Sequence, residues 1–98
     1  MARVVVTERA KRDLRYILSE LNEMAGYRVA ERYTAEFKAT YRRLADFPAS
    51  GAPRHALGLN TRIAIMSPYI VIYDDESDRA TVLRVLHGKR NITRDLVR

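Results

Sequence analysis

The apolar residues of this chain change their spacing once, and that switch decides the architecture. From Ala10 to Leu44 they recur every third or fourth position, as on one face of a helix. From Thr61 to His87 they fall into short β-branched runs with a period nearer two. Between the two regimes lies PASGAPRHALGLN, Pro48 to Asn60, whose prolines and glycines mark it as a long loop.

Ala2 to Val6 reads as a strand that ends at Thr7, a helix-capping residue, with Glu8 placed to complement the positive end of a helix. Ala10, Leu14, Ile17, Leu18, Leu21 and Met24 then form one apolar stripe. Gly26 fits a left-handed helix end, and a second stripe follows at Ala30, Tyr33, Phe37, Tyr41 and Leu44. Pro48 disfavours helical geometry in the residue before it, so the second helix stops near Phe47. The two helices make an antiparallel hairpin.

Strands are expected at Thr61 to Met66, Tyr69 to Asp74 and Arg79 to His87, joined by turns at Ser67-Pro68 and Asp75 to Asp78. Short turns make them an antiparallel meander, with a helical turn after it from Thr93 to Val97. The expected fold is α+β, in the order β-α-α-β-β-β, a helical hairpin packed on a small antiparallel sheet. With two-residue and four-residue turns, Ile63, Ile65, Ile70, Ile72, Leu83 and Val85 share the face under the helices. Arg62, Met66, Tyr69, Tyr73 and Arg84 share the open one.

A chain of 98 residues has material for one core, so residues 1–98 are read as a single domain. Without cysteine, neither a disulfide nor a thiolate metal site can hold it together. The valine run at Val4 to Val6 is too short for a signal sequence or a membrane span, which points to a cytoplasmic protein with no membrane contact. His55 and His87 lack a metal-ligand spacing, and no glycine-rich phosphate loop is present, so no metal and no cofactor is expected.

The net charge of +6 suits a phosphate backbone or an acidic protein partner. The residues able to serve either purpose are Arg62, Tyr69, Tyr73, Arg84, His87, Lys89 and Arg90. Arginines stabilise charge developing on phosphate and a histidine or tyrosine moves protons, which allows metal-free phosphodiester cleavage. Four of them also have a plainer alternative: His87 as a strand-end histidine bonded to backbone, Tyr69 and Tyr73 as packing, and Arg90 as a solvated charge.

VTERAKRDL with Ile17, then Gly26 with Ala30, then Leu44, Pro48 and Gly51, then Arg62, YIVIY and RVLHGKR, together resemble the RelE/ParE superfamily of bacterial toxins. The resemblance runs from Val4 to about Asp95. It implies the toxin of a type II toxin–antitoxin module, of the kind linked to plasmid stabilisation, with a cognate antitoxin that wraps it and carries any DNA binding. Within the superfamily, RelE-like members are ribosome-dependent mRNA endonucleases and ParE-like members inhibit DNA gyrase. The RNase members carry an arginine after the first tyrosine of the middle strand, where this chain has Ile70, and a late tyrosine or histidine, where it has Leu96 and Val97. The resemblance therefore leans to a ParE-like gyrase inhibitor, not an enzyme, with a ParD-like antitoxin. The alternative is a RelE-like nuclease using Arg62, Arg84, His87 and Arg90.

Overall fold

In the computed structural model, which describes residues 2–98, the chain runs β1 (Arg3–Val6), α1 (Glu8–Ala25), α2 (Tyr27–Asp46), β2 (Ala52–Pro53), β3 (Thr61–Met66), β4 (Tyr69–Glu76), β5 (Arg79–His87) and α3 (Arg94–Val97). Thr7 caps α1 by accepting from the Ala10 N–H at 3.2 Å, and its hydroxyl donates to the Leu83 carbonyl at 3.1 Å. One side chain therefore starts the helix and ties it to β5. Gly26 takes φ +93° between the two helices, a conformation that disfavours any residue with a Cβ. α2 ends at Asp46, with Phe47 capping it.

The sheet order is β1-β5-β4-β3-β2. β3, β4 and β5 form the expected antiparallel meander, whereas β1 joins β5 in parallel, Arg3 opposite Arg79 and Val6 opposite Val82. The sheet is thus mixed. Its fifth strand, β2, comes from within the long loop, where Ala52 pairs with Ile63 and Pro53 with Arg62. Proline is tolerated there because β2 is an edge, with no further strand needing its missing N–H.

Ser67-Pro68, a cis peptide, forms the two-residue turn between Met66 and Tyr69. The next turn is shorter than the sequence suggested. Asp75 and Glu76 stay in the ladder, opposite Ala80 and Arg79, so that only Ser77 and Asp78 turn. The register then shifts between Ile72 and Tyr73: Ile72 faces Arg84, Tyr73 faces Val82, and Leu83 has no opposite residue. This bulge reverses the side-chain alternation within β5.

In β3 and β4 the two faces are the reverse of the expected assignment, whereas in β5, beyond the bulge, Val85 lies under the helices and Arg84 opposite Ile72 on the other face, as expected. The helices pack on Ala64, Val71, Tyr73, Ala80, Val82 and Val85, through Ala10, Phe37 and Leu44, with Met66 and Tyr69 at the margin. Ile63, Ile72 and Leu86, joined by Ile70 and Leu83, lie on the other side under Leu57, Ile92, Leu96 and Val97. Small Ala64 and Ala80 help to make room for the helical hairpin. The isoleucine face needs no helix from that hairpin, because the loop and the α3 segment cover it. Val85 is parted from Leu83 by the bulge, and Ile65, near the end of β3, stays 69% exposed. No helix among the described residues is long and apolar enough to cross a membrane.

Candidate functional site

The structure divides the sequence candidates into two sets. Arg84 is held through all three of its guanidinium nitrogens. Its Nε and Nη2 donate to the two carboxylate oxygens of Asp13 on α1, and Nη1 donates to the Leu96 carbonyl of α3 at 2.6 Å. Hydrogen bonding to Asp13 raises the Arg84 pKa further, so the guanidinium stays charged. Arg62 is occupied as well: Nε pairs with Asp75 at 3.2 Å, and Nη1 donates to the carbonyls of Ala49 and Gly51. Tyr73 is fully buried, its hydroxyl donating to the Pro48 carbonyl at 2.7 Å and accepting from the Gly51 N–H at 2.9 Å. These three residues fasten loop, sheet and helix together.

Tyr69, His87 and Arg90 come together at the other set. Tyr69 lies opposite both Met66 of β3 and His87 of β5. Its ring meets Tyr33 and His87 edge-on, with centroids 5.7 and 5.8 Å away, and Phe37 at a tilt. His87 Nδ1 accepts from the Lys89 N–H at 3.1 Å, which fixes the ring and turns the chain into the exposed Lys89 and Arg90. Tyr69, His87 and Arg90 border a groove of about 270 Å³ whose opposite wall is α1, with Arg12, Tyr16 and Glu20 facing it.

Those three α1 residues were not singled out in the sequence. Arg12, Tyr16 and Glu20 are spaced at i, i+4, i+8, off the apolar stripe, and only the packing of α1 against β5 gives that polar row a partner surface. His55 lines a different cavity, with Asn60, Arg62 and Asp75. Among the described residues, no three acidic, histidine or cysteine side chains gather as a metal-binding group.

Residues 4–92 match the sequence model of the ParE toxin of the type II toxin–antitoxin system parDE. The chain belongs to the ParE toxin family. Toxin ParE3 of Caulobacter vibrioides is 28% identical over 96 residues, covering 98% of this chain and 96% of that protein. Among solved structures, a chain of the chromosomal ParDE system of P. aeruginosa superposes with a TM-score of 0.75 at 18% identity, covering 89% of this chain and 96% of its own, and so shares the fold. A chain of the toxin–antitoxin complex RelBE2 of Mycobacterium tuberculosis superposes with a TM-score of 0.59 at 28% identity, over 88% of this chain and 96% of its own.

As a ParE-type toxin of a type II toxin–antitoxin system, the chain presents a surface with a definite chemical character. Arg12 and Arg90 place positive charge on the groove, Glu20 adds a carboxylate, and Tyr16, Tyr69 and His87 offer flat aromatic area. Tyrosine and arginine around a partly apolar groove are the residue types that dominate protein–protein binding energy. Proton transfer is less well served. Burial raises the Tyr69 pKa, with Tyr33 and Glu20 adding to the effect, which moves the phenol away from the range useful to a base near neutral pH.

Proposed function

We propose that this ParE-family toxin inhibits DNA gyrase, stabilising the enzyme's cleaved-DNA complex and blocking replication in the cytoplasm. The observation that carries the reading is the engagement of Arg62 and Arg84. Each makes several bonds within the protein, so neither is at liberty to clamp a scissile phosphate. What is left, the exposed Arg12, Tyr16, Lys89 and Arg90 beside the half-buried Tyr69 and His87, suits a protein surface as a partner.

A cognate ParD-like antitoxin neutralises the toxin by covering this rim. The +6 charge favours an acidic wrapping segment. Two solved neighbours come from a toxin–antitoxin system and a toxin–antitoxin complex, which supports the partnership. DNA binding, in this reading, belongs to the antitoxin.

Purified toxin added to a gyrase supercoiling assay is expected to inhibit supercoiling or trap cleaved DNA, and induced cells to filament. Normal supercoiling at saturating toxin rejects the proposal. The second reading, a RelE-like mRNA endonuclease, is favoured by one feature, the nearness of His87 to Arg90 and Arg12 across a single groove. Primer extension on translated mRNA decides between them: codon-linked cuts lost in His87→Ala and Arg90→Ala establish the nuclease.

A further inference from the structure

Gly88 to Arg98 leaves β5 and returns across the sheet face opposite the helical hairpin. Its first part carries Lys89 and Arg90, and its second part is α3. The first part is tied to β5 and the turn before β4, the Gly88 N–H donating to the Pro68 carbonyl at 2.8 Å, the Lys89 N–H to His87 Nδ1 at 3.1 Å and the Arg90 N–H to the His87 carbonyl at 3.0 Å, whereas the N–H groups of residues 91–93, between the two parts, donate to no group among the described residues. A four-residue helix does not sustain itself in water. The far end of the rim therefore depends on whatever grips α3.

Arginines grip it from two directions. Arg9 and Arg84 donate to the Leu96 and Val97 carbonyls, which a helix end leaves without partners of its own. Arg98 reaches the other way, into the loop and sheet. Its Nε donates to the Leu57 carbonyl at 3.0 Å, Nη1 and Nη2 donate to both carboxylate oxygens of Asp74 at 3.0 and 2.9 Å, and Nη2 reaches the Thr61 hydroxyl at 2.8 Å.

The seat for this guanidinium exists because residue 58 has no side chain. A Cβ on Gly58 would collide with Arg98 Nη2 and with Thr61 Oγ1. Gly58 does not have a positive φ, so the glycine serves space and not backbone freedom. Two residues far apart in the chain, Gly58 and Arg98, are thus explained by one contact.

We propose that Arg98, seated in the cradle of Gly58, Thr61 and Asp74, is a positioning residue that fixes α3 and thereby sets the Lys89–Arg90 rim for its target. The inference rests on the reading of that rim as the target-binding surface. Without the clamp, α3 leaves its site part of the time, and the rim is in the binding geometry for only a fraction of molecules. Arg98→Lys keeps the charge but loses the planar fork that meets both Asp74 oxygens.

The test compares the full chain with Arg98→Ala, Arg98→Lys, Gly58→Ala and the Gly58→Ala/Arg98→Ala double variant. Potency is read as growth arrest on graded induction, which does not depend on the target's identity, and separately as inhibition of supercoiling. Amide hydrogen exchange reports the rim, α3 and the central strands.

If a tenth of the molecules remain competent, Arg98→Ala loses about tenfold in potency. Exchange then quickens from residue 89 to 97, while Val71 and Val85 stay protected. Gly58→Ala reproduces this, the double variant is no worse than Arg98→Ala alone, and Arg98→Lys falls between. Wild-type potency in Arg98→Ala despite faster exchange at α3 overturns the proposal, as do additive losses in the double variant. Growth arrest that follows this pattern while gyrase is untouched rejects the gyrase reading and leaves the clamp standing.

Discussion

Asp13 of α1 grips Arg84 of β5 with both carboxylate oxygens, at 2.7 and 2.9 Å, and one of the same oxygens accepts the Val85 N–H at 3.1 Å. β1 pairs with β5 only as far as Val82, so beyond that point Asp13 occupies one of the positions a neighbouring strand would fill. The pair is nearly desolvated, with 11% of the Arg84 side chain and 16% of the Asp13 side chain exposed. Removing one partner strands the other charge. Asp13→Ala should therefore lower stability by about 3 kcal/mol in urea unfolding. Adding Arg84→Met should recover part of that loss, since the stranded charge is then gone while the Val85 N–H still lacks its acceptor.

Tyr41 offers a prediction of the opposite sign. Its hydroxyl is the one buried side-chain polar atom among the described residues that finds no hydrogen-bond partner. Tyr41→Phe removes a desolvated group and no bond, and should raise stability by about 1 kcal/mol. Burial, aided by the Asp13 carboxylate, pushes the Tyr41 pKa from 10.0 up to about 12. The unfolded chain therefore releases this proton first, and the stabilisation present below pH 10 is lost as pH rises through about 12. Tyr69 and Tyr73 are raised too, so the measurement is the difference between wild type and Tyr41→Phe in alkaline unfolding. A steeper loss for wild type is the expected result.

Substitutions at the sequence candidates should separate by position. His87→Ala and Arg90→Ala are expected to reduce growth arrest with little change in melting temperature. Tyr73→Phe should do the reverse. It leaves the Gly51 N–H without its acceptor and costs about 2 kcal/mol, with arrest intact wherever the protein is still folded. Arg62→Ala should resemble Tyr73→Phe, because Arg62 holds the same loop through the Ala49 and Gly51 carbonyls. Thermal melts alongside graded induction check all four.

Local order was legible wherever one residue type had one physical reason to be where it is. Thr7 as a cap, Gly26 as the elbow, Pro48 as a helix limit and Ser67-Pro68 as a two-residue turn follow from backbone chemistry that sequence displays directly. The faces of the sheet did not follow, because both are apolar and the pattern cannot say which layer covers which. The count of turn residues places Tyr73 on the open face, yet its ring is core and only its hydroxyl needed polar partners, which the loop backbone supplied. The bulge at Ile72 and Tyr73 shifted the alternation in β5 without any glycine or proline to announce it.

The candidate site was half visible for a related reason. His87 and Arg90 stand out at the end of a strand, but Arg12 and Tyr16 acquire meaning only when α1 is laid beside them. Arg62 and Arg84 carry the charge that a binding site requires, and nothing in a sequence reveals that Asp75 and Asp13 already hold them.

The parallel pairing of β1 with β5 imposes a timetable on the chain. Val4 and Val5 meet their strand partners, Ala80 and Thr81, only after all the residues between have been synthesised. Pairing between distant segments bears its loop-closure entropy before any contact rewards it, so the first strand waits unpartnered while the helical hairpin and the meander organise. A ribosome-bound chain that has not yet released β5 thus lacks both the strand that joins β1 to β4 and the rim that follows it. The candidate binding surface is complete only once the residues after the last strand are in place.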